Sequence, residues 1–320
     1  MKSVSYWVIK VKRGELKKAD LVPVKDFSLL KTIVTGVSTG TEKLVGKGLV
    51  TKVSHKFMSV PYMEGSFQLP IKYGYSLVGE ALSGRYKDTR VFLMHPHQNL
   101  CFVSDKDLHA LPDTITSKAA ILIPNMETAL NAVWDAELKQ DDKIAILGAG
   151  IIGILIGFVL TSMGFKYVLI EKNYTCLKES EELSWTPSKS LTRSKSGKNY
   201  DVIFHTTGST KGLQTSIDLG GFEGRVIDLS WYGTKKVTLN LGDSFHWNRK
   251  KIIASQVSHI ASIVREEKNK ADRFNEVLDL LKNPALNELK RSKVEFTNLP
   301  RLMNDLYKNK YVGWAPIISY

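Results

Sequence analysis

Twenty consecutive residues without a charge, Ile144 to Met163, constrain this chain more than any other stretch. A run of that length and polarity is long enough to cross a bilayer. Its internal punctuation points elsewhere. Glycines stand at 148, 150, 153 and 157, the polar stretch Gln140-Asp141-Asp142-Lys143 precedes it, and a second strand-like run, Tyr167–Ile170, follows. A buried strand, a turn and a buried helix account for all of this, and a membrane span does not.

Within the run, Gly148-Ala149-Gly150-Ile151-Ile152-Gly153 has the G-x-G-x-x-G spacing. The spacing alone is a weak signal. Here it follows the apolar strand Ile144-Ala145-Ile146-Leu147 and opens an apolar helix, the context a dinucleotide-binding turn requires. Gly148 permits the tight turn, Gly150 lets the backbone approach a pyrophosphate, and Gly153 allows close packing of helix on strand. The helix start at Ile151 and Ile152 supplies unpaired N–H groups and partial positive charge for phosphates. An acidic residue is expected about 20 residues on, at the end of the second strand. Glu171 stands there, directly after Tyr167–Ile170. Its carboxylate can accept from both ribose hydroxyls and repels a 2′-phosphate, which favours NAD over NADP. Lys172 beside it offers a cation and narrows that preference.

The chain alternates strand and helix signals beyond Pro112-Asp113. Ser117 is placed to cap a helix holding Ala119, Ala120, Leu122 and Ile123. A helix is expected over Glu127–Leu138, strands over Tyr200–His205 and Gly224–Ser230, and a helix over Gly212–Leu219. This alternation means a parallel, doubly wound sheet. The first 110 residues read as β-rich, with short β-branched runs at Ser5–Val11, Leu29–Val34, Ser76–Ala81, Arg90–Met94 and Leu100–Val103. The tail returns to helix, with Asp272 as a cap before Phe274, Val277, Leu278 and Leu281. Leu299, Met303 and Leu306 mark another helix, and Tyr311–Ile318 a last strand in which Pro316 points to an edge or an end.

Charge and cysteine usage limit the function classes. Lysine and arginine exceed the acids to give a formal charge of +13. The excess is spread along the chain, and the densest region, Lys189–Lys198, is serine-rich and reads as a mobile loop without the interleaved aromatics of single-strand binders. Nucleic acid and membrane are therefore not expected partners; a small-molecule substrate is. Two cysteines, Cys101 and Cys176, build neither a disulfide framework nor a four-cysteine zinc lobe. With no secretory signal after Met1-Lys2-Ser3, a cytoplasmic setting is expected.

The order of parts and several phrases resemble the medium-chain dehydrogenase/reductase superfamily, the zinc alcohol dehydrogenase-like proteins. The phrases are Gly36-Val37-Ser38-Thr39-Gly40-Thr41-Glu42, Gly74-Tyr75-Ser76-Leu77-Val78-Gly79-Glu80, Pro124-Asn125-Met126-Glu127-Thr128-Ala129-Leu130, Phe204-His205-Thr206-Thr207-Gly208-Ser209 and Gly224-Arg225-Val226-Ile227. With His95-Pro96-His97-Gln98 and Ser230-Trp231-Tyr232-Gly233, their wording is also similar to a subgroup with bacteriochlorophyllide dehydrogenase-like members. The resemblance implies an α/β fold: a GroES-like β-rich substrate domain over 1–118, completed by 262–320, and a Rossmann domain over 119–261. Thr206 and Gly208 would border the cofactor at a later strand end. A homodimer through the Rossmann sheet is the family's frequent assembly.

The departures bear on mechanism. The family's catalytic zinc is held by cysteine, histidine and a third cysteine or carboxylate. By resemblance those positions here are Ser38, Tyr75 and Pro124, which are poor zinc ligands, so no catalytic zinc of the usual kind is expected. Hydride transfer would belong to a nicotinamide, NAD or NADP, with NAD slightly favoured. Tyr75 and Ser38 become the candidate hydrogen-bond donors to the substrate oxygen, and Glu127 the candidate proton relay. Each also has an unreactive reading: Tyr75 as a packing side chain filling the vacant metal position, Glu127 as a first-turn acid on the helix dipole. His95 and His97, two apart in an extended segment, share a face and could form a metal or proton-relay pair, though no third ligand is evident; the alternative is two histidines at a strand end that line the cleft without metal. His205 follows a strand on the cofactor side. The expected activity is oxidoreduction of a carbonyl, alcohol or activated alkene. The alternative is a redox-responsive protein that binds dinucleotide without catalysis.

Overall fold

The computed structural model describes residues 1–187 and 198–320, which pack as two compact units, Met1–Pro124 with Arg291–Tyr320, and Asn125–Lys290. The expected breaks were 118/119 and 261/262. The basic, serine-rich stretch lies, apart from Lys198, outside the described residues.

The first unit is β-rich because its apolar residues alternate. Along Phe27–Gly36, Ser28, Leu30, Thr32 and Val34 are buried while Phe27, Lys31 and Ile33 are exposed, the period of a half-buried strand. This strand is the unit's hub. One edge pairs antiparallel with Leu77–Ala81. The other pairs first with Leu100–Ser104 and then, over Val34 to Gly36, with the C-terminal strand Ile317–Ser319. The chain's last residues thus join the sheet organised by Phe27–Gly36. A second, antiparallel sheet is built on the hairpin Lys2–Lys10 and Arg13–Asp20. Its inner side rests on the helix Leu299–Tyr307, which buries Leu299, Leu302, Met303, Leu306 and Tyr307.

The second unit carries a five-stranded, all-parallel sheet in the order Tyr167–Ile170, Ile144–Leu147, Tyr200–His205, Gly220–Asp228, Lys251–Ala254. The chain leaves Ile144–Leu147 for one neighbour and returns to Tyr200–His205 on its other side. That reversal opens a crevice at the carboxyl ends of these two strands, the place where open α/β sheets take ligands. The uncharged run resolves as the strand Ile144–Leu147, a turn and the helix Ile151–Ser162. The helix is buried from Gly153 through Leu160, so it needs no polar face. Among the described residues no helix is long and apolar enough to cross a membrane.

Several boundaries differ from the sequence reading for local reasons. The helix expected from Glu127 begins at Ile123, because Pro124 is tolerated in a first turn. Thr116, one residue before Ser117, caps its helix through the Ala119 N–H. Asn269 caps Lys270–Leu281, with Asp272 closing the capping box from inside. Gly313 adopts φ +133°, which breaks the expected run from Tyr311 and leaves only Ile317–Ser319 as strand. The first unit also contains the short helices Thr41–Gly46 and His55–Met58, too short to show periodicity.

The glycine turn depends on one approach. A Cβ on Gly153 would lie 2.0 Å from the Gly148 carbonyl oxygen, which belongs to rigid backbone. Gly153→Ala is therefore expected to destabilise the protein by about 1–3 kcal/mol. Thermal denaturation checks it, and an unchanged Tm would mean the helix does not depend on this contact.

Candidate active site

In the second unit, the glycine turn and the Thr206–Gly208 turn are joined where the sheet reverses. The Thr206 N–H donates to the Leu147 carbonyl (3.0 Å). Its hydroxyl lies within bonding distance of the carbonyls of Leu147 (3.1 Å) and Gly148 (3.2 Å). Gly148 has φ +114°, and a Cβ there would fall 2.6 Å from Thr206 Oγ1. Gly150 is different in kind. It is exposed, and a Cβ built on it meets nothing within 4 Å. As the residue before the helix it supplies no side-chain cap, so the N–H groups at Ile151 and Ile152 face an open position. Ile151 is buried and Ile152 half-buried.

Glu171 reaches back to this turn. Its Oε2 accepts from the Ala149 N–H (2.8 Å), and its Oε1 from the N–H groups of Lys172 (2.7 Å) and Asn173 (2.8 Å). A carboxylate has about four acceptor positions, so engaging both hydroxyls of a ribose displaces at least one of these bonds. Lys172 is exposed beside it.

Behind the Thr206–Gly208 turn lies a buried network. His205 is 0% exposed. Its Nδ1 is 2.9 Å from Asp228 Oδ1 and its Nε2 is 2.7 Å from Thr207 Oγ1. Asp228 also accepts from the Ser230 N–H and the Tyr232 hydroxyl, while Ser230 Oγ accepts from the Gly208 N–H. Burial pushes the Asp228 carboxyl up, yet these donors together hold it below its ordinary range. The network fixes the turn from beneath, which makes His205 a positioning side chain in this fold.

Glu127 is held within the same unit. Its Oε1 accepts from Arg273 Nε (3.2 Å), and Arg273 Nη1 donates to Asn131 (2.9 Å). Burial raises the Glu127 carboxyl and the guanidinium opposes that rise. This geometry ties the helix Ile123–Asp135 to Lys270–Leu281.

In the first unit, Ser38 and Tyr75 come together. The Tyr75 hydroxyl bonds to the side chains of Ser38 and Thr41, and its ring meets Tyr73 edge-on at 6.2 Å. Beneath them lies a group that spacing did not single out. Glu42 is 3% exposed. It accepts from the Ser38 N–H (2.7 Å) and from His97 Nε2 (3.0 Å). A carboxylate only accepts, so Nε2 carries a hydrogen. His97 Nδ1 meets Thr35 Oγ1 (2.6 Å), which in turn meets the Tyr320 hydroxyl (3.2 Å). The charge of Glu42 helps raise the phenols of Tyr6, Tyr73, Tyr75, Tyr307 and Tyr320, burial being the larger cause in each. Tyr75 therefore keeps its proton at neutral pH. Glu42 ends the phrase Gly36–Glu42, and that position is the one signal that pointed to it.

A catalytic zinc does not fit the residues present. Ser38 and Tyr75 offer neutral hydroxyls and Pro124 offers no donor atom. Among the described residues no three His, Cys, Asp or Glu side chains converge as a metal requires. His95 and His97 take separate partners. His95 Nδ1 donates to the Pro96 carbonyl (2.8 Å) and its ring packs on Tyr62. Burial lowers the His95 imidazole from 6.5 to about 3.

That shift has a sign. Unfolded His95 takes a proton as pH falls through 6.5, whereas folded His95 stays neutral down to about 3. The unfolded state binds more protons in this window, so stability is lost as pH falls through it. The slope from this residue reaches about 1.4 kcal/mol per pH unit. In His95→Asn, whose amide can still donate to Pro96, that slope is expected to disappear. Denaturant unfolding of both proteins between pH 7 and 5 measures it. A stability difference between them that does not change with pH refutes the assignment.

No family model matches the sequence. Among curated proteins, the chain is 25% identical over 176 residues to a 2-dehydro-3-deoxy-L-galactonate 5-dehydrogenase of Pseudoalteromonas atlantica, covering 50% of this chain and 48% of that one. It is 24% identical over 222 residues to a D-xylulose reductase of Scheffersomyces stipitis, covering 64% and 61%. The likeness thus spans about half to three fifths of these relatives. Among solved structures, L-idonate 5-dehydrogenase of Escherichia coli K-12 superposes with a TM-score of 0.78 at 13% identity, covering 100% of this chain and 99% of that one. The β-rich unit closed by the C-terminal strand, the parallel sheet with its glycine turn, and this full-length superposition together give the chain the GroES-like plus Rossmann fold of the medium-chain, zinc alcohol dehydrogenase-like proteins.

Proposed function

We propose that this chain is a nicotinamide-dependent oxidoreductase of the medium-chain type that works without a catalytic zinc. The observation that carries the reading is the open, uncapped helix start at Gly150, set where the parallel sheet reverses. The dehydrogenase and reductase names of the two curated relatives support it. The bound nicotinamide supplies or accepts a hydride at a carbonyl, an alcohol or an activated alkene.

The protein's own groups do the rest. Backbone N–H groups of Ile151 and Ile152 bind the pyrophosphate at the helix N-terminus. Gly148 and Gly153 hold the turn that aims them, with Thr206 and Gly208 along its border. Glu171 takes the ribose and disfavours a 2′-phosphate, so NAD is the preferred cofactor, with Lys172 limiting the preference. The Tyr75 hydroxyl, oriented by Ser38, donates a hydrogen bond to the substrate oxygen as charge builds on it. Its raised pKa suits a donor that keeps its proton, so the proton that completes an alcohol comes from water. Glu127, paired with Arg273, has the weaker claim to a relay. The free, unpaired state of Cys101 and Cys176 supports a cytoplasmic setting, and a homodimer is the assembly this reading carries.

Two measurements test it. Fluorescence titration with NADH and NADPH is expected to show binding of both, NADH more tightly. Gly150→Val places a side chain in open space, so it should leave Tm unchanged and weaken dinucleotide binding by about 100-fold or more, comparable to losing several backbone contacts. Binding of neither cofactor by the parent protein ends the proposal. Turnover of a panel of aldehydes, ketones, enones and polyols then tests catalysis. Tyr75→Phe is expected to lower kcat about 10²-fold, the effect of losing one oxyanion donor, with cofactor affinity unchanged. Cofactor binding without turnover of any of these substrates would favour the redox-responsive binding protein.

A further inference from the structure

Two segments almost 300 residues apart converge on one strongly basic groove in the first unit. Its volume is about 490 Å³, within the range of small-ligand sites. Lys12, Arg13 and Gly14 contribute from the turn between Lys2–Lys10 and Arg13–Asp20, and Arg301, Asn304 and Lys308 from the helix Leu299–Tyr307 and its end. The helix residues follow steps of three and four, so they share one face. The opposite face is the buried one. The groove has a fixed base: a Cβ on Gly14 would lie 2.0 Å from Tyr6 Oη, and the hydroxyls of Tyr6 and Tyr307 meet at 3.2 Å.

The charge is one-sided. Lys12, Arg13, Arg301 and Lys308 are all exposed, and among the described residues no Asp or Glu lines the groove. Among the described residues none of these four side chains makes an ion pair. Like charges gathered on one concave surface repel, and a bound anion of matching charge relieves that repulsion. Two of the four are arginines, whose planar forks match phosphate oxygens two at a time. Apolar surface for a bilayer is sparse here: Val11 is the exposed large apolar residue of this turn.

We propose that this groove is a binding site for a free small molecule bearing a di- or triphosphate group. It uses none of the residues assigned to the cofactor or to Tyr75, and it stands or falls independently of the oxidoreductase reading. Arg13 and Arg301 grip the phosphate oxygens from opposite walls, Lys12 and Lys308 balance the remaining charge, and Asn304 donates its amide between them.

Inorganic tripolyphosphate is the probe, added to the full chain at 50 mM salt and followed by calorimetry and thermal shift. Binding that raises Tm and weakens as salt increases is expected. Arg13→Ala/Arg301→Ala should weaken it at least tenfold. Lys56→Ala/Lys87→Ala, which removes the same charge from exposed lysines elsewhere in the unit, should leave it unchanged, with circular dichroism confirming that both variants fold. Absence of binding overturns the proposal, as does equal loss in the two double variants. Binding to anionic phospholipid vesicles or to duplex DNA in the absence of any binding to tripolyphosphate also overturns it, because the site would then serve a macromolecular surface.

Discussion

The carbonyl oxygen of Gly148 stands 2.0 Å from where a side chain on Gly153 would begin, and the parallel-sheet unit is arranged around that approach. It fixes where the helix Ile151–Ser162 starts relative to the strand Ile144–Leu147. With the start fixed, the free N–H groups point along one line, and the next strand end must fit beside them. Thr206 does so by bonding to Leu147 and Gly148. His205, itself held by Asp228, then holds Thr207 from below, and Ser230 holds Gly208. Glu171 closes the other side through the Ala149 N–H. Each of these contacts presupposes the one before it, and all of them leave Gly150 open.

The first unit is organised by a buried charge. An ionised carboxylate in a protein interior must be compensated, and Glu42 finds its partners in His97 and the Ser38 N–H. Those two bonds fix Ser38 at the entry to the helix Thr41–Gly46, and Tyr75 takes its position from Ser38 and Thr41. The same charge discourages ionisation of the surrounding tyrosines. A carboxylate that is itself buried therefore helps keep the surrounding hydroxyls as donors. His97, whose spacing from His95 left a metal or proton-relay pair open, bonds to Glu42.

Local rules were enough for most of the parallel unit. The glycine spacing, the strand before it, the buried helix after it and Glu171 all lie within 28 residues, so ordinary periodicity and turn chemistry expose them. The hub strand Phe27–Gly36 was legible for the same reason, since its burial alternates along the chain. What escaped was long-range. Glu42 and His97 are 55 residues apart, and Glu127 and Arg273 are 146 apart. No periodicity links such partners; only the folded topology brings them together. Short elements escaped for another reason. The strand Lys293–Glu295 has three residues, too few for an alternation to declare itself, and it gains its identity by pairing with Ile317–Ser319.

The hydroxyls of Ser38 and Tyr75 also limit the chemistry that the proposed reading allows. A metal ion polarises an oxygen with full positive charge, whereas a phenol offers one hydrogen bond, equivalent to about 2.7 kcal/mol of transition-state stabilisation when well placed. The tyrosine is further restrained by its surroundings, because burial and the Glu42 charge both oppose loss of its proton. It can lend a hydrogen to a developing oxyanion but is a poor base for removing one from an alcohol. On the proposed reading, such a site would favour substrates whose carbon already accepts hydride readily, an aldehyde or a conjugated alkene, in the direction of reduction. Oxidation of an unactivated alcohol would demand a base, and the buried carboxylate of Glu42 is already committed to His97 and Ser38.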